Sequence, residues 1–358
     1  SVAGPLLGGV FVDHLSWRWV FYVNLPIGAL ALAVASTTLH LPVERTKVKI
    51  DFLGSGLIAA GLTCVLLVTT WGGQQYAWDS AEIIGLAIAG VALLVAFVAQ
   101  ERRAPEPILP LRLFRDPVFV VVAAVLFLTT LAFFATVVFM PVFLQVVTGA
   151  TATNSGLLLL PLMLSATAST AIAGRIVART GRYKAFPIVG LGIMAIGLYL
   201  LSTLEADTSR ATASALLAVF GVGFGMVSQI LVIAIQNAVD RRDLGIATAS
   251  ANLFRSLGGS VGVAVFGAIF ASRLSTRAID PQSLQASPER LRALPAPVRD
   301  GVAEAVAHAL HTVFLVATPV AAVAMVIALL LREVPLRGPA QAPKPAPPTA
   351  KPTTGVAR

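Results

Sequence analysis

Charge is what this sequence has least of. Only 12% of its 358 residues are Asp, Glu, Lys or Arg, about half the share with which a soluble domain covers its surface. Residues 117–174 contain none of the four. That deficit excludes an ordinary water-soluble globule of this length. Cysteine is nearly absent too: Cys64 stands alone in an apolar run, so a disulfide framework and a thiolate metal site are both excluded. No Walker loop, zinc signature or nucleophile elbow occurs. GVGFG at 221–225 lies within an apolar run, without the strand and turn of a nucleotide fingerprint, and reads as helix packing. With no phosphate cradle in the chain, any work done on a solute must draw on an ion gradient or on another subunit.

What is present is apolar sequence, 57% of the chain, with a mean hydropathy of +0.85. It comes in runs of about 20 residues, each long enough to cross a hydrocarbon core of ~30 Å. One partial span is expected at 1–12. Complete spans are expected near 19–39, 52–71, 81–100, 118–146, 155–177, 185–204, 211–236, 246–272 and 306–331. The fold class is an all-α polytopic membrane protein. The 118–146 run is longer than a crossing needs, so it must tilt, or Pro141 must end or kink it.

The net charge of +9 does not point to nucleic acid, because the basic residues stand between apolar runs and form no stripe. The partner they imply is the lipid bilayer. One set of connections reads ERTKVK, ERRAPEPILPLRLFR, GRIVARTGRYK and DRRD, followed by the tail. It holds about 18 of the 26 Lys and Arg, which makes that side cytoplasmic. The alternate connections, VDHLSWRW, WGGQQYAWDS, TGATATN, EADTSR and a long stretch over 273–305, fall outside. Residues 332–358 are Pro-rich, lack an apolar face, and are expected to form a disordered cytoplasmic tail.

Four stretches then share one resemblance, in order along residues 1–331. They are GPLLGG with DHLSWRWVFYVNLPIG; DFLGSGLIAAGLTCVLLVTTWGGQQYAW with the loop ERRAPEPILPLRLFR; MPVFLQVVTGATATNSGLLLLPLML; and QNAVDRRDLGIATASANLFRSLGGSVGVAVFG. Together they resemble the major facilitator superfamily, and within it the fourteen-helix drug:proton antiporters. The resemblance implies a major facilitator fold built from inverted three-helix repeats. Residues 1–39 would be the remnant of an incomplete N-terminal bundle and 40–116 an inserted helix pair with its linkers. Residues 117–331 would be a complete six-helix C-terminal bundle. On that alignment residue 1 falls inside helix 5, and the acids that take up the coupling proton would lie in helices 1 to 4.

The implied activity is proton-coupled efflux of hydrophobic or cationic drugs by alternating access. It needs no cofactor beyond the proton gradient, and it places the chain in the cell's inner membrane with a cytoplasmic C-terminus. A periplasmic adaptor is implied if the host has an outer membrane. Export of a siderophore, peptide or endogenous antibiotic is the first rival. A membrane enzyme acting on lipid-linked substrates and a sensor or scaffold with a transporter-like body are the others.

Several residues carry the expected mechanism. Gly4, Pro5, Gly8 and Gly9 match the family's antiporter motif; Gly4 and Gly8 share a helix face that a neighbour can approach, and Pro5 bends the segment. Gly174, Arg179, Gly181, Arg182 and Lys184 match the superfamily's cytoplasmic loop motif. The motif's Asp is Ala178 here, so the charge relay lacks its acid. The loop reads either as a gating latch or as a positive-inside anchor.

Arg255 lies about ten residues, roughly 15 Å, into its span. A cation at that depth belongs in a cavity facing a carboxylate, or it snorkels to the cytoplasmic vestibule. Gln145, Gln229, Asn252 and Phe143 are further candidates for the cavity lining, with Asn237, Phe134, Phe139 and Phe224 beside them; interhelical hydrogen bonding or lipid contact would equally account for them. Glu304, His308 and His311 recur at i, i+4 and i+7 near the outer surface, where interfacial packing is expected and no metal is assigned.

Overall fold

The structure, a computed structural model, describes residues 4, 7–8, 10–11, 15–38, 51–275 and 295–335, apart from 74, 106, 241 and 242. Among the described residues there are nine helices long and apolar enough to cross a membrane. Helix α1, Asn24–Thr38, follows one helical turn at Trp19–Tyr22, and neither buries a residue.

Helices α2, Phe52–Trp71, and α3, Ala81–Glu101, form a hairpin. Side chains cap each start. The Asp51 carboxylate accepts the Gly54 N–H at 2.8 Å, and the Ser80 hydroxyl accepts that of Ile83 at 3.3 Å. These bonds satisfy backbone donors that the first turn of a helix leaves open. The two helices meet where Gly61 faces Leu94 and Gly90 faces Cys64, which is where the lone cysteine is housed.

The loop after α3 is shaped by Glu101, whose buried carboxylate accepts the N–H groups of Ile108 and Leu109, each at 3.2 Å. A 3-10 turn, Leu111–Arg115, leads to Asp116, which caps α4, Pro117–Val142, at the Val118 N–H. Pro141 lies in the last turn of α4. Proline offers no N–H and crowds the preceding turn. The α-helix ends one residue later and widens into a π turn at Phe143–Val147.

A short helix, Ala152–Leu158, then precedes α5, Leu160–Thr180; α6 is Ala185–Ser202, α7 Arg210–Ala238, α8 Leu244–Ser275 and α9 Ala296–Leu329. The six long helices α4 to α9 form one bundle. Helix α4 packs against α7, α8 and α9; α7 lies between α5 and α6; α9 closes on α6 and α8. Two-thirds of the α4 span is buried, so this chain's most apolar helix is its central one. The outer faces carry exposed Leu164, Ile172, Ile196, Val323 and Val326, as hydrocarbon requires of a spanning bundle.

Backbones approach closely at glycines. GVGFG places Gly221 and Gly225 against the carbonyls of Leu162 and Ala166 on α5, and Gly223 against Gly190 on α6. A threonine hydroxyl seals the first contact: Thr170 Oγ1 donates to the Gly225 carbonyl at 2.7 Å. The packing role expected of this sequence is the one it has.

Two boundaries depart from expectation. Helix α9 begins at Ala296 where a span was expected only from 306, because its first turns carry Arg299, Asp300 and Glu304 and hydropathy does not register a helix that projects from the bilayer. The tail expected to be disordered from 332 begins docked: Glu333, Val334 and Pro335 are hydrogen-bonded to the bundle. The rest of it, 336–358, lies outside the described residues.

Candidate functional site

Arg255 sits eleven residues into α8, about 16 Å along it. It lines a cavity of about 780 Å³ between α2, α4 and α8. Close packing of α8 on α4 positions it. Gly258 abuts the Phe127 carbonyl, and Gly262 lies so close to Leu131 that a Cβ would fall 2.7 Å from its oxygen. Gly259 is closed off by the Phe134 ring. The cavity wall mixes two chemistries. Asn252, Ser256, Ser260, Thr70 and Thr130 supply amide and hydroxyl groups, whereas Leu66, Phe134 and Val263 are apolar. Arg255 is the single charged one among the described residues of that lining. Among the described residues no carboxylate lies within ion-pair distance of it.

The other expected cavity residues are elsewhere. Phe143, in the π turn that follows α4, is fully buried in the core, and Gln145 donates to the Ser155 hydroxyl at 3.1 Å. Gln229 is exposed on α7. Phe224 stacks on Phe133, with ring centroids 4.0 Å apart, and Phe139 packs on Phe270. The structure thus brings Arg255, Asn252 and Phe134 together and leaves the rest apart.

Gly4 and Gly8 are helical, and among the described residues nothing beyond their own helix comes within 4 Å of a Cβ at either; Pro5 and Gly9 lie outside the described residues. At the end of the bundle where the α6–α7 loop lies, Glu304, His308 and His311 face a cavity of about 590 Å³ with Glu205 and Asp207. The His308 and His311 rings lie nearly parallel, 6.2 Å apart, and His311 Nδ1 is 2.6 Å from the Ser202 carbonyl, which requires Nδ1 to carry the proton.

In the loop between α5 and α6, which carries the expected loop motif, the contacts to the bundle run through backbone. Gly181 adopts φ +71°, a conformation suited to glycine, and its N–H returns to the Val177 carbonyl at 2.8 Å to end α5. That turn drives Tyr183 into the core, where it is fully buried. The Tyr183 N–H donates to Glu333 Oε1 at 2.8 Å and that of Lys184 to the same oxygen at 3.4 Å. In return the Tyr183 hydroxyl accepts the Val334 N–H at 2.9 Å. Burial pushes the Tyr183 phenol above its ordinary range, and the nearby Glu333 charge adds to that; the Val334 N–H opposes it.

Asn237, at the end of α7, donates to the Val334 and Pro335 carbonyls. Arg112, before α4, pairs with the buried Asp243 at 2.7 Å. Arg179 and Arg182 point outward, and among the described residues no ion pair engages them. Tyr183, Glu333, Arg112 and Asp243 were not singled out in the sequence. The one available signal was Glu333, a lone acid in a basic, Pro-rich tail.

The six helices from Pro117 onward thus form a bundle of membrane-crossing length, with Arg255 in a mixed polar and apolar cavity on one side. The sequence profile of the Major Facilitator Superfamily matches residues 1–263, and the chain belongs to that superfamily. The relatives it matches are named as transporters or efflux proteins.

Over 333 residues it is 41% identical to an uncharacterized MFS-type transporter of Mycobacterium tuberculosis, covering 91% of this chain and 48% of that protein. It is 37% identical over 273 residues to the multidrug transporter protein MdtP of Bacillus subtilis, covering 76% and 50%. It is 33% identical over 301 residues to the aspyridones efflux protein of Neocamarosporium betae, covering 79% and 53%. The chain spans about half the length of these relatives.

Proposed function

We propose that the full-length protein is a secondary antiporter that exports hydrophobic small molecules in exchange for protons by alternating access, with no bound cofactor. The observation that carries the reading is the cavity around Arg255, whose wall joins apolar side chains to hydroxyl and amide groups at membrane depth. A drug-sized apolar body fits such a lining, in which few polar groups fix orientation. The relative named as a multidrug transporter supports the same substrate range. Of the two expected substrate chemistries, hydrophobic and cationic, the lining favours the first, since it offers a cation no carboxylate.

On this reading residues 4–9 and 174–184 govern the parting of the two bundles. The protein lies in the cell membrane, in a didermal host the inner one, with its C-terminus in the cytoplasm and a periplasmic adaptor where the host has an outer membrane. A second reading, export of a metabolite the cell itself makes, is favoured by the relative named for aspyridone efflux.

The test is energised export of Nile red from cells stripped of their own pumps and expressing the full-length gene. We expect export to stop when a protonophore collapses the proton gradient. Export that persists without the gradient overturns the coupling, and absence of export overturns the function.

A further inference from the structure

We propose that the cavity at Arg255 selects organic anions: amphiphiles carrying a carboxylate, or a comparable acidic group, on an apolar body. The inference rests on the efflux reading above and deepens it. A guanidinium at mid-membrane depth is costly unless an acidic partner or water meets it. Here Arg255 lines a cavity of about 780 Å³ and, among the described residues, is the only charge in its wall. Its neighbours are suited to an anion as well. Asn252 and Ser256 lie three residues before and one after it on α8, and Ser260 is one turn beyond Ser256, so amide and hydroxyl donors flank the guanidinium on one helical face.

The guanidinium presents a planar fork of donors that matches a carboxylate. Leu66 of α2 and Phe134 of α4 then offer the apolar body its surface. A cationic substrate would meet repulsion at Arg255, and no acidic side chain among the described residues of the wall would offset it. The inserted hairpin takes part as well, since Leu66 and Thr70 lie in α2.

The measurement is binding to the full-length protein in nanodiscs at neutral pH, read by dansyl fluorescence. Three probes share one tail: dansylaminoundecanoic acid, its methyl ester, and the matching quaternary ammonium. A charge-assisted, bidentate bond should make the acid bind about tenfold or more tighter than the ester. Arg255→Gln should bring that ratio close to one. Arg255→Lys, a point charge without the fork, should keep part of it.

An acid that binds no tighter than its ester overturns the inference, as does a ratio that survives Arg255→Gln. If Arg255 instead meets a carboxylate elsewhere in the full-length protein, the parent ratio is near one and Arg255→Gln lowers the unfolding midpoint, which also overturns it. Export assays separate the two levels. Gradient-driven export of the ester without preference for the acid removes only the anion selectivity. No export of either probe removes the efflux reading too.

Discussion

The carboxylate of Glu333 accepts the backbone N–H of Tyr183 at 2.8 Å across 150 positions of chain. With the Tyr183 hydroxyl on the Val334 N–H and Asn237 on the Val334 and Pro335 carbonyls, it closes a clasp. The clasp joins the α5–α6 loop, the end of α7 and the end of α9. Donors on the chain leaving α9 and on the loop it meets are satisfied at the same point, so each partner depends on the other.

Removing the acceptor should therefore loosen three elements together. We expect Glu333→Ala to lower the stability of the full-length protein by about 1–3 kcal/mol, the cost of leaving a shielded backbone donor unpaired. Glu333→Gln keeps an acceptor oxygen and should lose less than half as much. Thermal unfolding in detergent reads both. Equal losses for Ala and Gln would show that the charge, and not the hydrogen bond, holds the clasp.

The same geometry predicts an alkaline limit. The folded state holds the Tyr183 phenol above its ordinary range, because burial penalises the phenolate. The folded protein therefore binds this proton more tightly than the unfolded chain. The contribution is intact below the unfolded value of about 10 and is lost as pH rises from there through the folded value. Stability of the parent protein should fall more steeply above about pH 10 than that of Tyr183→Phe, which has no proton to lose. Parallel alkaline slopes would show that Tyr183 does not control the limit.

Much of the architecture was legible because it is written in local pattern. Each span is a run of apolar residues, and GVGFG announces its packing through spacing that puts small residues on adjoining faces. Arg255 was legible by its depth in an apolar span, and Asn252 as an uncharged polar residue in the same span. The clasp was not, because a side chain meeting a backbone group 150 residues away leaves no periodic trace. The Arg112–Asp243 pair, 131 residues apart, is hidden for the same reason. Nor does sequence distinguish Phe143, sealed in the core, from Phe134, which lines the cavity, since both belong to one apolar helix and its continuation.

Glycines on the spans should divide sharply by what faces them. A Cβ at Gly225 would collide with the Ala166 carbonyl, so Gly225→Ala should cost about 1–3 kcal/mol through overpacking. At Gly267 a Cβ would meet nothing within 4 Å among the described residues beyond its own helix, and Gly267→Ala should be neutral or stabilise α8 by up to about 1 kcal/mol through helix propensity. Unfolding midpoints of the two variants check this. A Gly225→Ala protein as stable as Gly267→Ala would mean that α5 and α7 are not in contact as described.

Orientation in the membrane follows from charge and can be tested with two cysteines. Helix α6 runs from the loop bearing Arg182 to the loop bearing Asp207, so those loops must lie on opposite faces of the bilayer. The first belongs to the Arg- and Lys-rich set of connections, which the positive-inside rule places in the cytoplasm. Both positions are exposed, so reagent access depends on the membrane and not on burial. In a Cys64→Ala background, where Ala still fits against Gly90, Asp207→Cys should react with an impermeant maleimide in intact cells. Arg182→Cys should react only after the membrane is opened. The converse pattern would invert the topology and put the Glu333–Tyr183 clasp on the outer face. Labelling of both in intact cells would mean that α6 does not span. Because the readout needs only insertion, it is independent of any transported solute, and the orientation stands or falls separately from the proposed function.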